Sequence, residues 1–517
     1  MADKIEAIEN DFILKKRGTS ELLKVKRRKG TGIQYVLIIL VLIMGVGLSS
    51  AILSPEQKDE PNAPITGEFQ INSVLPTTDQ TYPKVARANN DISAFAWTSW
   101  EQDGSDWGVY TRAYDSIGNP IGGEILVNTI ATNFDQGGFG SLDIGICRPL
   151  LVPSNATFVV TWGHEVIDTP SDYEVYAQMY NVSTLPANVQ SIGSNVWINT
   201  YTQGFQADAK GLISISMTPV CDKGVITWGT FGENGADPHD DVMGDIFARE
   251  FALTPSLVFV DTQEWIVNTN TTSMQTDPEV SMNNDGNYVI CWTSYHTTNA
   301  PDIMARRFSW SLPDGSAPTD SDDFNASQLN VAGSDHSCSV SMLDNNRIAV
   351  GWTHDTQIPQ TGLDVYIVGI ESDRTAPWPP VCGTDPNFMV CPRDQYSVSI
   401  SSNKLNTWIW TWTDNGMDGS GEGVFGWMGT WSTMEGDVFQ VAATTLGSQS
   451  LSDVAMSGDG TYAIAWAMEQ SPKDAYGRLY NNIPNVPELN NKWTISLMFI
   501  CCTASIIVIT RRKTVQG

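Results

Sequence analysis

Apolar positions along this chain follow two patterns. Between residues 69 and 480, short runs of apolar, β-branched and aromatic residues alternate with turns rich in Gly, Asp and Asn, as strands and their connections require. Residues 30–53 and 493–510 are instead continuously apolar and uncharged.

Seven of the short runs end alike: ISAFAWTS, TFVVTWGH, GVITWGTF, YVICWTSY, RIAVGWTH, TWIWTWTD and YAIAWAME. Their tryptophans are Trp97, Trp162, Trp228, Trp292, Trp352, Trp412 and Trp466, spaced 65, 66, 64, 60, 60 and 54 residues apart. A strand precedes each Trp run, clearest in PKVARANN, PEVSMNND and SDVAMSGD, and Asp285-Gly286 and Asp459-Gly460 mark tight hairpins between the two. A third strand follows (GVYTRAYD, EVYAQMYN, DIFAREFA, DIMARRFS, DVYIVGIE, GVFGWMGT, AYGRLYNN). A fourth closes the unit: EILVNT at 124–129, NVWINT at 195–200, EWIVNT at 264–269, then SQLNVA and FQVAAT.

A four-stranded unit cannot bury both of its faces alone, so stacked repeats must make the core. Seven such units predict an all-β fold, a seven-bladed β-propeller; a sandwich array and an open solenoid are the alternatives. Burying each Trp removes roughly 200 Å² from water, at most about 5 kcal/mol per blade. The last unit lacks a fourth strand, whereas FQINSV at 69–74 is an orphan resembling one. If the orphan completes the last blade, the ring closes without exposed edges. Strand alternation then puts the chain's way into and out of the ring on one face, here called the base. The loops between second and third strands fall on the opposite, distal face.

The apolar segments fix the expected organisation. Each is long enough to span a bilayer as a helix; the first follows KVKRRKG and the second precedes RRK. Excess positive charge on those flanks predicts a basic cytoplasmic tail (1–29), a transmembrane helix (30–53) and a linker (54–68). An external propeller (69–482), a second linker (483–492), a second transmembrane helix (493–510) and a cytoplasmic tail (511–517) follow. Localisation is thus the cell membrane, with the ectodomain outside. Each segment has a processing alternative: residues around RRKG-TGIQYVLIILVLI resemble an archaeal pilin-type signal, and PNVPEL, helix and RRK resemble archaeal sorting tails.

Charge sharpens this picture. The chain carries −29, yet residues 1–33 carry +4 and Arg511–Lys513 another +3, so the part between must carry −36. Nucleic acid is thereby excluded as a partner, since phosphate binding needs clustered Lys and Arg. Of the eight Cys, six lie in the predicted ectodomain, where disulfides persist. Cys382 and Cys391, nine apart in a Pro-flanked loop, are the expected pair; Cys147, Cys221, Cys291 and Cys338 either pair or remain buried thiols. Glycosylation motifs begin at Asn155, Asn181, Asn270 and Asn325.

Candidate chemistry gathers in the predicted distal loops. His164, His239 and His354, with Asp240 and Asp241, form a candidate distal-face site; His296 falls there too. Solvated loop residues are the plainer account, because no His-x-x-His or Cys-x-x-Cys spacing is present. Carboxylates spaced with Gly at Asp414, Asp418 and Glu422, and at Asp103 and Asp106, suit Ca²⁺, although polar turns use the same residues. Gly-x-Ser-x-Gly, His-Glu-x-x-His and phosphate-cradling loops are absent, so no catalytic residue is assigned. CDKGVITW at 221–228 approximates a sialidase Asp-box with one residue too many. Arg112, Arg249 and Arg306, about one per blade on third strands, read as structural.

The units' consensus, best carried by residues 82–129, is P-x-V-x, DG-x-[FY]-x-[VI]-x-W-T-S, DG-S-x-x-G-V-Y-x-R-x-[FY]-D and G-x-x-x-[LI]-V-N-T. It resembles a tandem Trp-containing repeat of large secreted and surface proteins of bacteria and archaea, where it builds propeller-like arrays. The resemblance implies fold and surface placement but no substrate. The reading that follows is a membrane-anchored, non-enzymatic surface propeller for binding, adhesion or envelope assembly, with a protein or glycan ligand. A sialidase-like glycoside hydrolase and a purely structural envelope protein are the alternatives.

Overall fold

The computed structural model describes residues 64–481, except for loop stretches (chiefly 130–135, 166–172, 207–212, 232–243, 311–319, 356–361, 383–392 and 432–437), and the backbone of three N-terminal strands. Those strands, Glu6–Ile8, Asp11–Lys15 and Leu22–Lys26, form an antiparallel sheet in a separate compact unit, 1–61. Both predicted transmembrane segments lie outside the described residues. No described helix is long and apolar enough to cross a membrane.

The Trp runs fold as expected, into seven antiparallel sheets arranged as a propeller. Blade 1 is Gln80–Arg87, Ser93–Trp100, Trp107–Tyr114 and Pro120–Leu126, paired in chain order. Blades 2 to 6 span 142–197, 205–266, 275–325, 334–382 and 395–440. Blade 7 is Gln449–Met456, Tyr462–Met468 and Asp474–Tyr480, and its fourth strand is the orphan, Phe69–Gln70, pairing with Gly477 and Tyr476. A bridge from Pro64 to Tyr480 puts the chain's way in beside its way out.

All seven tryptophans are at most 1% exposed. Five stack on the aromatic residue opposite in the third strand, for example Trp97 on Tyr110 at 6.3 Å and Trp466 on Tyr476 at 6.1 Å, and Trp412 meets Phe425 tilted by 31°. Blade 4 differs, with Met304 opposite Trp292. The indole N–H of Trp97, Trp162 and Trp292 donates to Gln80, Gln136 and Gln275, and that of Trp352 to Asp335. In these four blades the buried ring has its polar edge satisfied, whereas the Trp412 and Trp466 indole N–H groups are buried without a partner among the described residues.

The V-N-T motif acts as a joint. Its apolar residue (Ile71, Val127, Ile198, Val267, Val441) is fully buried, and its N–H bonds a third-strand carbonyl in the same blade at 2.8–2.9 Å. The following Asn (Asn72, Asn128, Asn199, Asn268) accepts from that strand's N–H at 2.7–3.0 Å, saving it from burial unpaired. The next blade's third-strand Arg reaches back to the apolar residue's carbonyl: Arg112 to Ile71 (3.5 Å), Arg249 to Ile198, Arg306 to Val267 (3.1 Å) and Arg478 to Val441 (2.9 Å). The third position's N–H is clasped by the next blade's fourth-strand acid, as in Thr200 with Glu264 (2.9 Å) and Thr269 with Asp323 (2.8 Å). Ser73 with Glu124 and Ala443 with Glu68 extend this clasp through the closing strand on both sides. The structural reading of the arginines therefore holds.

The structure corrects one strand assignment and settles one open question. Blade 4's fourth strand is Phe324–Asn325 rather than SQLNVA at 327–332. Ala326 and Ser327 fill the Val-Asn slots, and the Ser327 hydroxyl accepts from the Ile303 N–H at 3.3 Å in place of an Asn. The four unassigned cysteines form Cys147–Cys221, joining blades 2 and 3, and Cys291–Cys338, joining blades 4 and 5. The expected Cys382–Cys391 pair lies outside the described residues.

Candidate functional site

Two cavities follow from the ring. The first is the axis, about 510 Å³, lined by the first strands. Lys84, Asp143, Ser214, Glu279, Ser339, Ser399 and Asp453 hold one equivalent position, each opposite the residue before its blade's Trp. These first strands are sheet edges, and ring side chains satisfy the N–H groups of the next blade. Asp453 accepts from Val85 (2.8 Å), Asp143 from Ile215 (2.8 Å) and Ser339 from Ile400 (3.0 Å). Burial raises the Asp143 carboxyl to about 6 and that of Glu279 to about 7, only partly offset by Lys84. Burial would lower the Lys84 pKa, but the charges of Asp453, Asp143 and Glu279 together raise it. The axis is therefore a stitched electrostatic seam, one ammonium among three carboxyls. Further along, Lys404 reaches from blade 6 to Ser281 of blade 4 (3.1 Å), and burial lowers its pKa to about 8.

The second cavity is a distal-face cleft of about 590 Å³ between blades 6, 7 and 1. First strands of blades 1, 4, 5, 6 and 7 bulge at Tyr82, Asp277, Ser337, Ser397 and Leu451, with φ of 50–58°. Non-glycine residues rarely adopt this conformation, and such bulges re-aim a strand beside functional surfaces. Tyr82 and Leu451 line the cleft with Trp107, Tyr396, Asn415, Asp79, Glu422, Glu469 and Lys473. Gly140 packs on the Tyr82 ring so closely that a Cβ would meet Cδ1 at 2.6 Å, which fixes the ring's position.

Some of the cleft's polar groups are occupied. Glu469 accepts from Ser450 (2.8 Å) and pairs with Lys473 (2.5 Å); the Tyr396 hydroxyl donates to one oxygen of Glu422; Asp79 takes the Lys473 backbone N–H at 3.0 Å. Others have no hydrogen-bond partner among the described residues: the second oxygens of Asp79 and Glu422, the Tyr82 hydroxyl, the Trp107 indole N–H and the Asn415 carboxamide. Burial raises the Tyr82 and Tyr396 pKa values, and Glu422 adds to the latter.

The sequence-predicted site residues that are described do not converge. His164 and His354 are buried, on the Trp strands of blades 2 and 5 rather than in loops, because these strands run two residues or more past Trp. Asp414 occupies the same slot in blade 6, each facing a first-strand Gln or Asp. His164 bonds Gln136 and His354 bonds Asp335 at 2.6 Å; burial lowers the His164 pKa to about 4. His239, Asp240, Asp241 and His296 lie outside the described residues.

Three of the candidate calcium residues, Asp414, Asp418 and Glu422, hold local hydrogen bonds. Asp414 accepts from Gln395 (2.8 Å) and the Met417 N–H (2.9 Å), and Asp418 from the Ser420 N–H (2.8 Å). Asp103 approaches Asn128 at 3.5 Å, and Asp106 is exposed. Among the described residues no group of three or more His, Cys, Asp or Glu is arranged to hold a metal. The glycosylation motif at Asn270 is exposed, while Asn155, Asn181 and Asn325 are half-buried. Sequence reasoning located the distal face but missed this cleft, whose residues come from three blades; only Glu422 was singled out.

No family model matches the chain, and no curated protein matches it. Among solved structures it is similar to a protein of unknown function from Dyadobacter fermentans, at 8% identity over 82% of this chain and all of that one, with a TM-score of 0.43. It is similar also to the β-propeller domain of the trilobed protease from Pyrococcus furiosus (8% identity, 81% and 99% covered, TM-score 0.40) and to Trypanosoma rangeli sialidase (11%, 75% and 58%, 0.39). Likenesses this distant assign no ligand.

Proposed function

We propose that this chain is a membrane-anchored, surface-displayed binding module whose ligand site is the distal cleft. The unspent hydrogen-bonding groups of Asp79, Glu422, Tyr82, Trp107 and Asn415 carry this reading. Polar groups held on a rigid frame, all half-buried except the exposed Asn415, are what a ligand satisfies. Much of the ring is consumed by its own architecture: the indoles of Trp97, Trp162, Trp292 and Trp352, the V-N-T joints and the axial carboxylates are bonded within or between blades. Two inter-blade disulfides favour an oxidising compartment, and the apolar segments 30–53 and 493–510 supply the anchors.

Labelling intact cells with a membrane-impermeant amine reagent tests the placement. Modified propeller lysines in an integral membrane fraction are expected; labelling only after lysis refutes it. A hydrolase reading has one supporting feature, the carboxylates Asp79, Glu422 and Glu469 around one cleft. Release of reducing ends from oligosaccharides, lost in Glu422→Gln, would replace the binding reading with that one.

A further inference from the structure

The distal cleft's inventory also specifies what it takes, an inference that rests on the cleft being the ligand site. We propose that it binds a neutral carbohydrate, a pyranose unit of an uncharged glycan. Three half-buried aromatic residues, Tyr82, Trp107 and Tyr396, offer ring faces and edges, which suit the apolar faces of a sugar. Among the groups without protein partners, the second oxygens of Asp79 and Glu422 are acceptors, the Trp107 indole is a donor, and the Tyr82 hydroxyl and Asn415 carboxamide serve as both. A hydroxyl both donates and accepts, so a ring of hydroxyls satisfies such a mixed set, whereas a ligand of one polarity leaves half of it unpaired.

Charge narrows the class further. Three carboxylates face one ammonium in the cleft, and that ammonium is held by Glu469 at 2.5 Å. No Arg lines it. An acidic sugar meets a net negative wall with no fork to hold its carboxylate. A cationic ligand has to compete with Lys473, already seated inside. A neutral polyol avoids both penalties, and carboxylate acceptors strengthen each hydroxyl bond it makes.

The test uses the full-length chain in detergent micelles against fluorescent neutral oligosaccharides (gluco-, manno-, galacto- and arabino-series), acidic ones (sialyllactose, oligogalacturonate) and basic peptides. Neutral oligosaccharides are expected to bind and acidic ones not. Glu422→Gln and Tyr82→Ala should each weaken binding at least about tenfold. Glu422→Gln keeps the shape and the Tyr396 bond, so its loss cannot be blamed on misfolding; an unchanged melting temperature verifies this. Binding of acidic glycans or basic peptides that is lost in both variants overturns the sugar class while the cleft stands. Neutral-glycan binding that both variants leave intact overturns the cleft itself. Absence of binding across the panel overturns the proposal.

Discussion

Removing the two side chains by which the closing strand holds blade 7 tests the reasoning about ring closure most directly. Ile71 is completely buried among Val85, Phe95, Tyr114 and Leu479. Truncating it to Ala loses the transfer energy of three carbons and leaves a cavity, about 2–5 kcal/mol. Asn72, 1% exposed, accepts from the Ala475 N–H at 3.0 Å and donates to Asp474 at 2.9 Å. Its replacement by Ala leaves that N–H buried and unpaired, about 1–3 kcal/mol. The two residues are adjacent, so Ile71→Ala/Asn72→Ala should cost about 3–6 kcal/mol, somewhat less than the sum. Urea unfolding followed by tryptophan fluorescence, with a dissociation profile by light scattering, measures both consequences. Val267→Ala/Asn268→Ala in blade 3 is the control, since Val267 and Asn268 hold the same slots there. That fourth strand is covalently continuous with its blade, so its loss should destabilise without opening the ring. Only the N-terminal variant should free the edge at Asp474–Tyr480 and self-associate with rising concentration. A loss below about 0.5 kcal/mol, or identical association by both variants, refutes closure by this strand.

Reduction of Cys147–Cys221 and Cys291–Cys338, which close spans of 74 and 47 residues, removes about 4 kcal/mol of unfolded-state restriction each; calorimetry with and without dithiothreitol should show a lower melting temperature, and none is expected in the Cys-to-Ser double-pair variant. The axial carboxyls give a pH dependence. Their folded pKa values, about 6 for Asp143 and about 7 for Glu279, lie above the ordinary 3.8 and 4.5, so the unfolded chain loses those protons first. Their penalty is absent below about pH 4, grows through pH 4–7 and is complete above it; Asp143→Asn/Glu279→Gln should flatten the stability profile in that window, and an unchanged profile refutes the assignment. Asp335 accepts from both the Trp352 indole (2.9 Å) and His354 (2.6 Å); Asp335→Ala should cost about 2–4 kcal/mol by orphaning two buried donors, while Asp335→Gln, the residue blades 1, 2 and 4 use, should recover at least half in the same urea assay.

Asp414 shows why placing a residue on the distal side was easier than assigning its role. Its sequence context, DNGMDGSGE, reads as a cation loop. The Trp412 strand runs on through Asn415, so Asp414 falls inside a sheet with Gln395 opposite. His164 and His354 were displaced from loop to strand for the same reason, since strand ends depend on cross-strand partners and not on local composition.

What the sequence determined by itself was whatever repeats. The apolar Trp runs, the turn residues between them and the orphan FQINSV were enough to count blades, close the ring and place the chain's way in beside its way out. A blade's pattern is set by its own burial, and burial is written into local hydrophobicity. Tertiary structure decided whatever joins one blade to another: which cysteines pair, why Arg478 reaches Val441, which of seven equivalent positions hold charge around the axis, and which groups stay unpaired in the cleft. Asp79, Glu422 and Lys473 lie up to 394 residues apart in sequence, and one bond, from the Lys473 N–H to Asp79, already spans that distance. No local pattern encodes such a meeting; only the curvature of the closed ring brings those side chains to one wall.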